Sequence, residues 1–216
     1  CEFLSKKDIG AVGSSPDIST DSSWVTKAWN LQRISKPDLY VRKWLPSMNM
    51  AIRRDVFFEF GGFSENLITG EDVDLGTRVS QKYIIYNNKK MKCIHYGDPR
   101  SIIHLFQKEL WRGTHNLNSF FNHSFTILEL HSILFPLFNA FILYFSFFSL
   151  FFRPLFSLSF FLIFTFPLLK STSISIKLTT FKHFIPLLII WFTYSLARLV
   201  AIQIEIVKLL SKRLNI

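Results

Sequence analysis

From Ile133 to Phe152 the chain runs twenty residues without a charged side chain. As an α-helix, a run of that length matches the ~30 Å hydrocarbon core of a bilayer, and core helices of soluble proteins seldom reach it without polar interruption. The sequence therefore predicts a membrane-spanning helix here. Pro154 to Leu169 is a second, shorter candidate, and Phe184 to Ile204 a third that carries Arg198 inside it. A buried core helix is the competing explanation for such runs.

The net charge of +10 would suit a nucleic-acid partner if it lay on a soluble surface. It does not. Residues 1–100 carry 15 Lys and Arg against 12 Asp and Glu, residues 101–132 carry 2 against 2, and residues 133–216 carry 8 against 1. A basic surplus flanking apolar segments marks cytoplasmic membrane boundaries. The first hundred residues hold no basic patch interleaved with aromatics, so nucleic acid is set aside. Cys1 and Cys93 are too few for a disulfide framework and lack metal-site spacing. Cys93 is expected in the core of a strand. The chain opens without Met and is expected to be part of a longer one; it shows no signal peptide.

Four regions follow. Residues 1–100 mix strand and helix signals and are expected to form an α/β domain. Asp8 to Ser23 reads as a short strand leaving into a Ser, Asp, Gly and Pro loop. Met48 to Ile52 reads as a second strand, with Asp55 capping a brief helix that ends at Gly61 and Gly62. A further helix is predicted from about Glu71 to Gln81, followed by the β-type runs YIIYN and KCIHY. Residues 101–132 place Ile102, Phe106, Leu110, Leu117, Phe121, Phe125 and Leu128 at helical spacing, as an amphipathic segment lying on the bilayer or on the domain would. Residues 133–205 are the membrane region and 206–216 a basic tail. With the loop bearing Lys170, Lys177 and Lys182 on the cytoplasmic side, a third crossing would put Lys208, Lys212 and Arg213 outside. Phe184 to Ile204 is therefore expected to be re-entrant or interfacial.

The stretch TGEDVDL crowds Glu71, Asp72 and Asp74 into the first turn of the predicted helix. Acids there complement the helix dipole, and Thr69 with Asp72 fits a capping box. Alternatively, one of these carboxylates accepts a proton from a substrate.

Read with SMNMAIRRDVFFEFGGFSENLITGEDVDLGTR, the later CIHYG and LWRG, and the apolar segments beyond, the stretch resembles the C-terminal half of family 2 glycosyltransferases, from Asp8 to about Gly113. The resemblance implies the later part of a GT-A-type domain followed by α-helical transmembrane segments. It also implies transfer of a sugar, with inversion, from a nucleotide-diphospho-sugar donor to a lipid-linked or polysaccharide acceptor. Such a protein sits in the cell membrane with its catalytic domain on the cytoplasmic side, where nucleotide sugars are made. The chemistry asks for one base at the attacking hydroxyl and cations at the departing phosphates.

By the resemblance Asp72 is that base, Glu71 its supporting neighbour, and Asn49 and Asp74 stand at the sugar-binding face. For Asn49 a plain strand-end hydrogen bond is the alternative. His95 matches a histidine that joins the metal ligands in some relatives, although a single His at a strand end also serves structure alone. Arg112 would hold the diphosphate through its two-pronged guanidinium, or else snorkel at the membrane surface beside Trp111.

Two departures qualify the match. No D-x-D pair, which would hold a divalent Mg or Mn ion and the nucleotide, precedes Asp8; the resemblance places it upstream of Cys1, so this stretch alone is expected to be inactive. QKELWRG keeps Gln107 and Trp111 in register with the Q-x-x-R-W motif of processive synthases, which sets Trp111 with Arg112 among the substrate-binding residues. Leu110, however, stands where that motif has Arg. That shift favours single-sugar transfer over polymerisation. The competing functions are a non-catalytic membrane subunit of a polysaccharide-assembly complex and, last, a small transporter, which would need more polar residues than Arg198 and Glu205 along its path.

Overall fold

The computed structural model describes residues 5–33, 37–122 and 164–214 together with single positions between 134 and 145. Most of the predicted span Ile133 to Phe152 and most of Pro154 to Leu169 lie outside the described residues. The chain forms two compact units, Cys1–Ser22 with Arg33–Asp98, and Ser23–Gln32 with Pro99–Ile216.

The first unit is built on a four-stranded mixed sheet in the order β2-β4-β1-β3. Strand β1 (Ile9–Gly13) lies beside β4 (Ile84–Asn88) in parallel and beside β3 (Met50–Ile52) antiparallel, while β2 (Leu39–Arg42) pairs antiparallel with β4 at the edge. Every residue of β1 is buried, as an unbroken apolar strand in a sheet covered on both faces should be. β4 alternates, burying Ile85 and Asn87. Helices α2 (Arg54–Glu59) and α3 (Glu71–Val79) supply the remaining core: Val56, Leu75 and Val79 close on Ala11, Leu45 and Ile85.

The predicted strands near Ile9 and Met50 and the helix at Glu71 are all present. Three details differ. Asp55 does not cap α2; the N-cap is Arg53, whose guanidinium pairs with the carboxylate of Asp55 two residues on. KCIHY forms no strand: its one ladder contact is an isolated parallel bridge from Asp17 to Ile94, and Cys93 is half-buried rather than in the core. The unpredicted strand β2 takes the edge instead, its Leu39 and Val41 exposed and its Tyr40 turned inward.

Close approach explains one glycine. A Cβ on Gly76 would run into Trp44 Cβ and sit 2.6 Å from Trp44 Cα and 3.0 Å from the Lys43 carbonyl oxygen, so α3 lies directly on the chain at residues 43–44.

The second unit is helical where it is described. Helix α1 (Trp24–Asn30) is capped by Ser23, whose hydroxyl accepts from Thr26 N–H at 3.2 Å. It is followed by α4 (Ile102–Asn122), α5 (Thr165–Lys177) and α6 (Phe184–Leu214). Lys170 and Lys177 therefore lie within α5 and not in a loop; Lys182 alone of the three sits in the connecting turn. α6 is unbroken over 31 residues, which removes the re-entrant form expected for its apolar part. Among the described residues it is the one helix long and apolar enough to cross a membrane, and more than half of its most apolar window is buried.

That burial comes from its neighbours. Leu105 of α4 and Val25, Ala28 and Trp29 of α1 pack with Ile190, and Ile174 of α5 packs with Leu187 and Trp191. Gly113 lets α4 approach so closely that an added Cβ would lie 2.5 Å from Ala201 Cβ. Between these contacts the Glu109 carboxylate, with a side chain only 1% exposed, accepts from Arg198 Nη2 at 2.8 Å and from Arg112 Nη1 at 2.6 Å. The Arg198 side chain is 8% exposed and lies 5.1 Å from the Tyr194 ring centroid. Glu109 was expected on neither the apolar nor the functional face of this helix.

Two stability changes follow from these packings. Gly76→Ala should destabilise the protein by about 1–3 kcal/mol, since overpacking against backbone outweighs alanine's helix preference. Glu109→Ala leaves Arg198 buried without its carboxylate and should cost about 3–5 kcal/mol. Chemical denaturation of each variant beside wild type measures both, and unchanged midpoints would contradict the packing described.

Candidate functional site

The acids at the start of α3 owe their position to three local devices. Gly70, with φ 78°, takes the left-handed conformation at the N-cap and turns the chain into the helix at Glu71. Thr69 thus precedes the cap, and Asp72 stands second in the helix and not third, one place off from the predicted capping box. Gly76 then brings residues 43–44 against α3, and the following turn, Ser47–Asn49, delivers a backbone N–H to the helix start.

That N–H goes to Asp72. Ser47 N donates to Oδ2 at 3.2 Å, and the helix's own Val73 N donates to Oδ1 at 2.8 Å. The carboxyl is half-buried. Burial pushes its pKa above the ordinary carboxylate value, and the charge of neighbouring Glu71 adds to the rise, while the N–H groups of Ser47 and Val73 oppose it. The helix start favours the ionised form of Asp72, and burial works against it. Asp72 is thus a carboxylate with a raised proton affinity, fixed in orientation by two backbone donors. Those are properties a general base uses.

Asp74 is placed differently. It is 2% exposed and accepts from Ser64 Oγ at 2.7 Å and from Arg78 Nη2 at 2.6 Å, with Arg78 Nε 3.2 Å from both oxygens. Arg78 extends past it to the carbonyls of Phe60 and of Gly62, the latter at 2.8 Å. The pair braces α3 against the turn at Gly61 and Gly62, both of positive φ. Asp74, predicted at the sugar-binding face, offers almost no carboxylate surface to a ligand.

Asn49 Nδ2 donates to Ser14 Oγ at 2.7 Å and to the Met91 carbonyl at 2.8 Å, while its own carbonyl accepts from Ser14 N at 3.1 Å. Ser14 Oγ also donates to Met91 O at 2.6 Å. Asn49 thus joins the exit of β1, the entry to β3 and the loop after β4.

His95 donates its backbone N–H to Asp17 O at 3.0 Å, and its ring stands over Gly97, 2.7 Å from where a Cβ would be. Among the described residues no three of His, Cys, Asp and Glu converge to hold a cation. They do not by themselves make a divalent-metal site, at His95 or elsewhere.

Trp111 and Arg112 belong to the other unit. Trp111 is half exposed on α4, and the Arg112 guanidinium, partly exposed, is paired to Glu109. The sequence reading overlooked Glu109, Ser47 and Gly76. Glu109 had a signal: an Arg at position 198 inside an apolar run needs a counter-charge, and after Arg100 the only acids are Glu109, Glu129 and Glu205. Ser47 had none, because it acts through its backbone.

A raised folded-state pKa at Asp72 contributes stability that is present below the unfolded value and lost as pH rises through the folded one. Asp72→Asn should therefore cost no stability at neutral pH, and wild type should gain on the variant as pH falls through the carboxylate range. Thermal melts of both at neutral and acidic pH check the sign; a variant markedly less stable at neutral pH would mean that the ionised carboxylate holds the fold.

Compared with protein-family models, with curated proteins and with solved structures, the chain matches none, so its function is argued from the residues themselves.

Proposed function

We propose that this chain is the acceptor-side part of a membrane-bound inverting glycosyltransferase with a GT-A-type fold, in which Asp72 accepts the proton of the attacking hydroxyl. The observation that carries it is the Asp72 carboxylate: half-buried, raised in pKa, and held by the N–H groups of Ser47 and Val73 at the start of α3. A base whose pKa lies closer to the working pH transfers protons more effectively than one left at its ordinary value. In the reaction an acceptor oxygen attacks the anomeric carbon, the bond from that carbon to the diphosphate breaks, and the hydroxyl proton passes to Asp72. The resemblance gives Glu71 a supporting role beside Asp72 and makes Arg112, next to Trp111, the candidate for the departing phosphate oxygens.

The donor in this reading is a nucleotide-diphospho-sugar and the acceptor a lipid-linked saccharide. The apolar runs Ile133 to Phe152 and Pro154 to Leu169 favour attachment to the cell membrane in several passes, with the first unit on the cytoplasmic side. A divalent ion, if the enzyme uses one, finds its ligands beyond the residues described.

A second reading is favoured by the same hydrogen bonds. Both Asp72 oxygens are engaged by backbone donors, so the carboxylate also serves to pin the Ser47 turn to α3, as a non-catalytic membrane subunit would retain it. Transfer of radiolabelled sugar to membrane lipid extract by the full-length protein separates the two. Asp72→Asn should lower the rate by roughly a hundredfold or more with donor affinity retained, Glu71→Gln by less. Arg112→Lys should weaken donor use, because a point charge replaces a two-pronged donor. Near-normal transfer by Asp72→Asn would remove the base and leave the pin.

A further inference from the structure

Strands β1 and β4 run parallel and finish at the same end of the sheet, where the chain enters β3 from the Ser47–Asn49 turn. Ligands of open α/β sheets bind outside the carboxyl ends of such strands. A cavity of about 500 Å³ opens at this end, walled by Asp38 and Leu39 at the start of β2 and by Asn88, Lys89, Lys90 and Lys92 where β4 turns away. Its size is that of a small-molecule site. Among the described residues Asp38 is the one acid on the wall, so the three lysines leave the cavity a net charge of +2.

The turn that carries the lysines is fixed at successive residues. Lys89 N–H donates to the Asp38 carbonyl at 2.9 Å, extending the ladder between β2 and β4. Asn88 then bends the chain: its Oδ1 accepts from Lys90 N–H at 3.0 Å and its carbonyl from Met91 N–H at 2.9 Å. The Met91 carbonyl is held by Ser14 and Asn49, and the Cys93 carbonyl accepts from Asp17 N–H at 2.8 Å. Of the side chains, Lys89 pairs with Asp38 at 3.2 Å, whereas Lys90 and Lys92 are exposed and form no ion pair among the described residues. Lysines that serve only to discourage strand pairing stand on an edge strand. These stand beyond the end of an inner strand, on a turn tied down on both sides, around a cavity.

We propose that this cavity binds an organic phosphate or diphosphate, its oxygens taken by Lys89, Lys90 and Lys92 and the group attached to it laid against Leu39. An ammonium meets a tetrahedral phosphate as a point charge from any side, whereas a planar carboxylate is better matched by arginine's fork. A phosphomonoester carries about two negative charges at neutral pH, which equals the cavity's excess. Leu39, 48% exposed, and the lysine stems give the wall an apolar part that a bare inorganic ion does not use. The phosphate comes on a soluble molecule or on a lipid headgroup, and both present the same chemistry to the lysines. No residue of this cavity has a part in the sugar-transfer reading, so the two stand or fall separately.

The test is titration calorimetry on the full chain in a neutral detergent, with inorganic pyrophosphate as the soluble probe and phosphatidic acid in the same micelles as the lipid-borne one. Wild type is compared with Lys90→Gln/Lys92→Gln and with Lys6→Gln/Lys7→Gln, which removes the same charge from exposed positions before β1. The turn is held by backbone groups, Ser14, Asn49 and Asn88, so both doubles keep the fold, as far-ultraviolet circular dichroism verifies; the single changes Lys90→Gln and Lys92→Gln should each give part of the loss. The expected result is binding by wild type that falls roughly tenfold or more in Lys90→Gln/Lys92→Gln and is unchanged in Lys6→Gln/Lys7→Gln. Phosphatidic acid that displaces pyrophosphate in wild type, and not in Lys90→Gln/Lys92→Gln, assigns the site to a lipid headgroup; pyrophosphate binding that phosphatidic acid leaves intact assigns it to a soluble phosphate. Equal weakening in both doubles would reduce the effect to general attraction by a basic surface and overturn the site. Binding of neither probe by wild type would overturn it outright and leave the lysines as a solvated turn.

Discussion

The missing side chain of Gly76 is the constraint on which the first unit turns. Because α3 can lie directly on the backbone of Lys43 and Trp44, Leu45 enters the core beside Leu75, and the turn that follows arrives with its N–H aimed at Asp72. Any side chain at 76 would hold the helix away from that segment. The hydrogen bond would then lengthen and water would enter around the carboxyl, removing the burial that raises its proton affinity. Packing between two stretches of backbone thus sets the electrostatics of a side chain four residues earlier.

In the second unit the corresponding element is an ion pair. Glu109 and Arg198 are both removed from water, and such a pair adds little net stability compared with well-packed apolar residues. What it adds is register. A Leu-rich helix could slide by a turn along another and bury similar area, but only one alignment brings this carboxylate to this guanidinium with Gly113 at Ala201. Arg112 completes the carboxylate's second oxygen and leaves the cluster with an excess of positive charge at its exposed edge.

The parts of the fold legible in the sequence were those written in local patterns. The all-apolar β1, the run into β3 and the acid-led start of α3 each announce themselves within a few residues. Element β2 was missed because an edge strand with Leu39 and Val41 exposed has no buried face to mark it, and KCIHY was mistaken for a strand because its residue types suit one. There the Met91 carbonyl is instead taken by Ser14 and Asn49, and the chain has left the sheet. Of the site residues, Asp72 could be singled out by its position in the motif. The burial of Asp74 could not, since it depends on Arg78 and Ser64 closing over it, nor could the pairing of Glu109 with a residue 89 positions away. The glycosyltransferase chemistry remains a reading of these residues.

The Asp74 and Arg78 brace has a consequence for the loop it spans. Arg78 grips the carbonyls of Phe60 and Gly62 at one end, and Asp74 fixes the helix that begins at the other. The connection between Phe63 and Gly70 is therefore closed by its anchors and not by its own length. Lengthening such a loop adds only a slowly growing entropy of closure. Insertions there can enlarge or reshape the surface next to Asp72 while the helix that carries it stays in place, so the rim of the site is free to vary where its floor is not.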